Sequence, residues 1–229
     1  MNPRRGSYHS YEALLSRVKS CRLCPRLVAY RESAMPRASY KGQRYWRKPV
    51  SGFGDVNGKL LILGLAPALH GGNRTGRVFT GDSSGRFLVR ALFEAGYANQ
   101  PISETKEDGL VYANCYLTAV VKCVPPGDRP SPREFGNCGR YLEAEIFLMK
   151  HLRSVLALGS LAFAAYLEHL RRNGVVTKGL KFTHGGVYRF EGLPTLYASY
   201  HPSPRNTNTG KLSHDMMVSV FKKITHELG

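Results

Sequence analysis

The sequence predicts an α/β protein, with a parallel sheet covered by helices on both faces. Four short runs are apolar at consecutive positions, which is typical of strands buried in a parallel sheet. Stretches with helical patterning separate these runs, and strand alternating with helix places functional loops at the carboxyl ends of the strands. The four predicted strands span 60–65, 114–121, 154–158 and 195–200.

The predicted helices carry recognisable ends. Ser131 followed by Pro132 and Glu134 fits an N-cap with proline at the first helical position. Gly174 fits the end of the next helix. The four predicted helices after the first strand span 84–95, 132–151, 161–173 and 212–228.

Two segments precede the first strand. Segment 8–28 is predicted to be helical and carries the first two cysteines. Segment 33–57 is rich in Gly, Pro, Lys, Arg and aromatic residues, which predicts a surface loop. Because the chain shows no repeat and no low-complexity tract, we expect a single domain over residues 1–229.

The chain is strongly basic. Its 33 Lys and Arg against 16 Asp and Glu give a formal net charge of +17. Such an excess attracts phosphate backbones through counterion release, so nucleic acid is the expected partner, with a merely basic surface as the alternative. No segment approaches the ~20 apolar residues of a membrane helix, and no secretory signal is visible. We therefore expect a cytoplasmic monomer without membrane association.

Four cysteines form the pairs Cys21-x2-Cys24 and Cys123-x14-Cys138. Disulfides belong mainly to small secreted domains, so reduced thiols are expected in this chain of 229 residues. Thiolates suit zinc or an iron–sulfur cluster. The wide second spacing departs from zinc ribbons and favours a [4Fe–4S] cluster, while zinc, or four thiols buried without metal, remain alternatives. The fifth cysteine, Cys115, lies in an apolar run and is expected in the core.

Two loops have distinctive sequences. The first strand leads into GLAPALHGGNRTGRVFTGDSSG, residues 64–85, which has six glycines in 22 residues. Glycines let the backbone approach a ligand and expose N–H donors, but no Gly-Lys-Ser/Thr follows, so this is not a Walker loop. The last strand leads into YHPSPRNTNTG, residues 200–210.

Together with the four cysteines, these loops resemble the uracil-DNA glycosylase superfamily, specifically its iron–sulfur branch, known as family 5 or type B. The resemblance runs from Cys21 to the C-terminal helix. It implies a three-layer α/β/α sandwich around a four-stranded parallel sheet, and a [4Fe–4S] cluster. It also implies hydrolytic excision of uracil from double- or single-stranded DNA, and it leaves a sliding clamp open as a further partner.

The resemblance assigns roles to two residues, and the chemistry of the reaction suggests a role for a third. Phe79 is expected to stack on the flipped base, and His201 to hydrogen-bond the leaving base. Asp82 offers a carboxylate that could position water or offset positive charge on the sugar. The alternatives are a core phenylalanine, a strand-end histidine and an aspartate that only caps the following helix.

The remaining expected contacts are with the base and with the DNA backbone. The loop after the first strand forms the floor of the base pocket by resemblance, and segment 202–210 presses into the duplex. The expected base-binding residues are Gly64, Ala66, Asn73, Phe79 and Ala119. The expected DNA-binding residues are Arg74, Arg77, Arg205 and Asn206.

The chain departs from the pattern of other branches at three positions. Leu65 stands where they have Asp, Asn or Glu, Ala119 where they have a base-reading Asn, and Ala68 where many have Gly. An apolar pocket rejects wrong bases only weakly, so we expect hypoxanthine to be excised as well as uracil. The competing functions are a non-catalytic, metal-stapled nucleic-acid-binding protein and an iron–sulfur electron-transfer enzyme.

Overall fold

A computed structural model of the chain describes residues 10–229. In this part of the chain, one sheet of six strands runs in the order β1-β3-β2-β4-β6-β5. The strands are β1 (Phe53–Gly54), β2 (Leu60–Gly64), β3 (Cys115–Ala119), β4 (Ser154–Leu158), β5 (Val187–Tyr188) and β6 (Thr195–Ser199).

Four parallel strands form the centre of the sheet, which confirms the predicted class. β2, β3, β4 and β6 coincide with the four apolar runs and pair in parallel. The expected four-stranded sheet needs one correction, because β1 and β5 add an antiparallel strand at each edge. Each has only two residues, both partly exposed, so neither produces a continuous apolar run.

The long helices begin and end within three residues of their predicted bounds. Ser131 accepts from the backbone N–H of Glu134 and completes a capping box. Gly174 has φ 84°, and so follows α6 as a left-handed residue. The helices are α1 (Tyr11–Lys19), α2 (Pro25–Glu32), α3 (Gly72–Thr75), α4 (Ser83–Glu94), α5 (Pro132–Leu148), α6 (Ser160–Arg172), α7 (Pro204–Thr207) and α8 (His214–Leu228).

The predicted N-terminal helix, 8–28, is two helices where the structure describes it; residues 8 and 9 lie outside the described residues. α1 ends before Cys21, and Cys24 has extended backbone angles, φ −118° and ψ 91°. Pro25 causes this break, because proline disfavours the helical conformation of the residue before it. The first cysteine pair therefore lies in a short non-helical link.

Helices cover both faces of the sheet. Leu60 and Ile62 point into a core built with α4 and α8, whereas Leu61 and Leu63 point into a second core with α1, α5 and α6. This alternation along one strand produces three layers. No helix within residues 10–229 is long and apolar enough to span a membrane.

Candidate active site

Phe79 lies against the carboxyl end of β2. A Cβ atom at Gly64 would lie only 2.7 Å from Phe79 Cζ, so glycine is needed for the ring to pack there. Phe79 has φ 48°, a left-handed conformation that bulky residues rarely adopt. Gly85 of α4 leaves room for the Phe79 carbonyl, where a Cβ would collide. The fold therefore holds a partly exposed aromatic ring in a strained position, as functional sites often do.

His201 follows β6 and stands beside Phe79. The two ring centroids are 6.3 Å apart and the planes are inclined by 36°. The Asn206 side-chain amide donates to the His201 carbonyl over 2.8 Å, which holds the backbone of the loop. Burial lowers the pKa of His201 to about 4, against a smaller opposing effect of Asp128. The imidazole is therefore neutral near pH 7 and keeps one N–H donor.

Asp82 is the N-cap of α4. Its Oδ1 accepts from the Gly85 N–H over 2.8 Å. Its Oδ2 faces Gly71, at which any Cβ would collide with the carboxylate. Burial raises the pKa of Asp82 above its ordinary value, although the Gly85 and Ser84 N–H groups oppose this. The carboxylate thus caps the helix with one oxygen and turns the other toward the glycine-rich loop.

The end of β3 provides few hydrogen-bonding groups that could distinguish one base from another. Ala119 pairs with Gly64 across the sheet, which places it at the same edge as Phe79. The Ala119 carbonyl accepts from Lys122 Nζ over 2.8 Å. The Thr118 hydroxyl is bound to both Glu145 and Lys122. No side chain at this strand end presents an uncommitted hydrogen-bonding group.

A buried ion pair lies behind that strand end and was not predicted. Lys122 Nζ and Glu145 Oε2 are 2.7 Å apart, and both side chains are 1% exposed. The Tyr116 hydroxyl also donates to Glu145, over 3.3 Å. The sequence signal was a single lysine between the apolar Val121 and Cys123. The pair joins the pocket strand to α5.

Arg74 and Arg77, which we expected to bind DNA, are only 9% and 4% exposed. Arg74 donates to the carbonyls of His70 and Gly81, each over 2.7 Å. Arg77 binds both oxygens of Asp108, at 2.8 and 2.7 Å. Because an unpaired buried charge is costly, these guanidinium groups are held by their internal partners. Both side chains stabilise the glycine-rich loop from its buried side. They are therefore not available as phosphate ligands.

The other expected contact residues are divided between the interior and the surface. Asn73 is 1% exposed, and its amide donates to the Arg31 carbonyl over 3.4 Å. Its side chain therefore points from the glycine-rich loop toward α2, and we leave Asn73 out of the proposed base-binding set. Ala66 is partly exposed at the start of the loop, and Arg205 is exposed after β6. Asn206 is partly exposed, with its amide nitrogen committed to the His201 carbonyl.

The four paired cysteines lie in one region of the fold. Cys21 and Cys24 lie between α1 and α2, Cys123 follows β3, and Cys138 is in α5, all within one apolar cluster. All are free thiols. Burial raises the pKa of Cys123 to about 11, against the opposing effect of the Arg31 guanidinium and with smaller contributions from Cys21 and Cys24. Within residues 10–229, no three His, Cys, Asp or Glu side chains are arranged to hold a single metal ion.

Arg31 connects this cysteine group to the pocket. Its side chain is 3% exposed and its Nη1 donates to Cys123 Sγ over 3.0 Å and to the Cys21 carbonyl over 3.3 Å. Its own carbonyl accepts from Asn73 in the glycine-rich loop. Arg31 is not among the predicted site residues, because its spacing does not distinguish it from Arg26, the other arginine of α2.

The fold and the site geometry agree with the result of a family comparison. The sequence model of the family described as the uracil DNA glycosylase superfamily matches residues 51–225, from β1 into α8. The chain belongs to this superfamily, and within it to the type-5 group, whose members are DNA N-glycosylases.

Individual relatives support the assignment to type 5. The type-5 uracil-DNA glycosylase of Pyrobaculum aerophilum is 42% identical over 219 residues, 96% of this chain and 94% of that protein. The type-5 uracil-DNA glycosylase of Thermus thermophilus is 45% identical over 211 residues, 92% of this chain and 94% of that protein. A type-4 uracil-DNA glycosylase of P. aerophilum is 29% identical over 190 residues, 81% of this chain and 79% of that protein.

Proposed function

We propose that this protein hydrolyses the bond between uracil and deoxyribose in DNA, releasing the base and leaving an abasic site. The observation that carries the proposal is the Phe79 ring packed on Gly64, with the His201 ring 6.3 Å away. Both lie at the carboxyl edge of the sheet, where α/β proteins bind ligands. The names of the type-5 relatives support the same substrate.

Binding begins with extrusion of the target nucleotide. Unstacking a base costs a few kcal/mol, which the pocket must offset. Stacking of a base on an aromatic side chain contributes about 1–3 kcal/mol. Phe79 supplies that face, and its strained backbone holds the ring in place before the base arrives.

In the chemical step, the bond between the sugar C1′ and the base nitrogen breaks, and its electron pair leaves with the base. The neutral His201 donates its N–H to a carbonyl oxygen of the base, where negative charge develops. The oxygen of a water molecule then bonds to C1′, and the proton that this water loses neutralises the departing base anion. The ionised Asp82 orients the water and stabilises the positive charge on the sugar.

We propose that the pocket also accepts hypoxanthine. The strand end beside the base contributes Ala119, which is 3% exposed, while the hydroxyl of Thr118 is held by Glu145 and Lys122. A site with unpaired polar readers rejects an analogue strongly, whereas apolar walls reject it weakly. Deaminated purines therefore meet no unsatisfied side chain at this position.

We further propose that Cys21, Cys24, Cys123 and Cys138 hold a [4Fe–4S] cluster. Four thiolates are the usual ligands of such a cluster. Four sulfurs bound to one zinc ion at 2.3 Å must lie about 3.8 Å from one another. The four iron atoms of a cluster are separate, so the sulfurs that bind them can lie further apart. The buried Arg31 guanidinium beside Cys123 supplies a positive charge and an N–H to the sulfur, which suits an anionic cluster. The bound cluster would tie the link between α1 and α2 to β3 and α5.

Metal analysis tests the cluster. We expect about four iron and four sulfide per chain. Cys24→Ser should lower the iron content, whereas Cys115→Ala should leave it unchanged, because Cys115 lies on the other face of the sheet. One zinc per chain with no iron would contradict the proposal.

A base-release assay tests the activity. The purified protein is incubated with a uracil-containing oligonucleotide, and both the free base and the abasic site are measured. A non-catalytic nucleic-acid-binding protein would bind the oligonucleotide without releasing the base. An electron-transfer protein would not release the base either, so the assay separates base excision from both alternatives.

A further inference from the structure

The segment before β1 is positively charged and contains no acidic residue. Residues 33–54 include five Lys and Arg and no Asp or Glu. Arg37, Lys41, Arg44 and Lys48 are exposed. None of these four takes part in an ion pair within residues 10–229. The function proposed above assigns no role to this charge.

Trp46 fixes two ammonium groups at the same place. Its ring packs against Gly76, where a Cβ would lie 2.9 Å from the indole, and its Nε1 donates to the Pro49 carbonyl over 3.1 Å. Lys48 Nζ lies 5.6 Å and Lys106 Nζ 5.1 Å from the ring centroid. Such cation–π contacts orient flexible lysines on the surface. We call the exposed cations Arg37, Lys41, Arg44, Lys48 and Lys106, together with Trp46, the Trp46 surface.

The Trp46 surface lies beside the base pocket. The backbone N–H of Trp46 donates to the Arg74 carbonyl over 2.9 Å, and that of Arg47 to the Asn73 carbonyl over 3.1 Å. Further along, the Val50 N–H donates to the Lys122 carbonyl, just after β3. The strand order puts this surface on the β3 side of the pocket, and the exposed Arg205 on the β6 side.

The carboxylates near this surface are already paired. Asp108 is bound by Arg77, and Glu104 by Arg86. Glu107 lies 3.4 Å from Lys106 itself, in an exposed pair that water screens. The field in front of the surface is therefore positive, with four cations that have no carboxylate partner.

We propose that the Trp46 surface binds the phosphate backbone of the DNA on the β3 side of the extruded base. Phosphate oxygens are the ligands that exposed, unpaired Lys and Arg side chains attract, and each neutralised phosphate releases counterions. This inference rests on the proposed function for the identity of the polymer. The proposed phosphate ligands are thus exposed cations from a neighbouring segment, and not the buried Arg74 and Arg77. The duplex would then lie across the carboxyl edge, with basic loops on both sides of the pocket.

The test compares two double variants that lose the same charge. Lys48→Gln/Lys106→Gln alters the Trp46 surface. Lys150→Gln/Arg153→Gln removes two exposed cations just before β4, at the amino ends of the parallel strands and therefore opposite the pocket. Like Lys48, Lys150 lies over an aromatic ring, that of Phe147. Binding to an undamaged DNA duplex is measured over a salt titration, and uracil release is measured separately at saturating DNA.

We expect the Lys48→Gln/Lys106→Gln variant to bind about tenfold or more weakly at 0.1 M salt, with a salt slope shallower by about 1–2, the scale of one or two lost phosphate contacts. The Lys150→Gln/Arg153→Gln variant should remain within about twofold of wild type in DNA binding and should release uracil at the wild-type rate. Equal weakening by the two variants would overturn the proposal, because net charge alone would then explain it. If the wild-type protein released no uracil, the activity would fail while the binding comparison still tested the surface.

Discussion

At the scale of single residues, the fold keeps one of the two proposed reacting groups neutral and the other charged. His201 is kept neutral by burial, so it is a donor rather than an acid. Asp82 is partly buried, but backbone N–H groups at the start of α4 offset part of the cost of its charge. Both states suit a reaction in which a base leaves as an anion from an electron-poor sugar.

Asp82→Asn separates the cap from the chemistry. The amide oxygen still accepts from Gly85, so the free energy of unfolding should change little. The lost charge should lower the single-turnover rate of uracil release by about tenfold or more, a moderate loss of electrostatic stabilisation. A wild-type rate in this variant would reduce Asp82 to a capping residue.

The pH dependence follows from the two shifted groups. His201 stays neutral well below its ordinary pKa, so its titration should produce no change in rate near pH 6.5. Asp82 has a raised pKa, so the wild-type rate should fall on the acid side as this carboxylate is protonated. In Asp82→Asn, this decline should be absent, and any remaining change in rate should occur near pH 4, where His201 is protonated. An inflection near pH 6.5 in that variant would show that burial does not shift His201.

The same shift affects stability. Because the folded His201 has the lower pKa, the unfolded chain binds more protons between about pH 4 and 6.5. His201 therefore reduces the free energy of unfolding as the pH falls through this window. The cost is consistent with a residue placed for function.

At the scale of elements, the buried pair of Lys122 and Glu145 fixes the end of β3 against α5. Lys122→Met leaves the Glu145 carboxylate unpaired and should lower the free energy of unfolding by about 3–5 kcal/mol. The double variant Lys122→Met/Glu145→Leu should recover much of that loss, because no buried charge remains. Chemical denaturation of the three proteins measures the coupling, and additive losses would contradict it.

The central elements could be predicted from sequence, and the reasons are visible in the structure. Continuous apolar runs specified the four parallel strands because both faces of the sheet are covered. The Ser131 cap specified the start of α5. The two edge strands could not be found, since each has only two residues, both partly exposed. The break before Pro25 was a missed local signal, because proline restricts the residue before it.

The site residues could be predicted where a recognisable motif follows a strand. They could not be predicted where the surroundings of a side chain form only in the folded structure. The loops after β2 and β6 were identified by resemblance, and the structure brings Phe79 and His201 together. The burial of Arg77 depends on Asp108, 31 positions away, which no spacing rule links to it. The carbonyls that bind Arg74 are only four and seven positions away, but they face its guanidinium only once the loop has folded, so its burial could not be predicted either.

At the scale of the whole molecule, the pocket composition predicts the range of bases. Uracil and hypoxanthine should both be released from matched duplexes, with rates within about a hundredfold of each other, because an apolar wall discriminates by only ~1–3 kcal/mol. Replacing Ala119 with Asn adds a polar group that pairs with one base better than the other, so it should widen the ratio. Strict uracil specificity in the wild-type protein would refute the predicted range.

The most direct measurement concerns the pocket as the catalytic centre. Single-turnover release of uracil is compared for the wild-type protein, His201→Ala and His151→Ala, where His151 is an exposed histidine just before β4. Loss of the His201 donor should slow release by about a hundredfold or more while DNA binding is retained, and His151→Ala should match wild type. A His201→Ala protein that releases uracil at the wild-type rate would contradict the assignment of this pocket as the site of base excision.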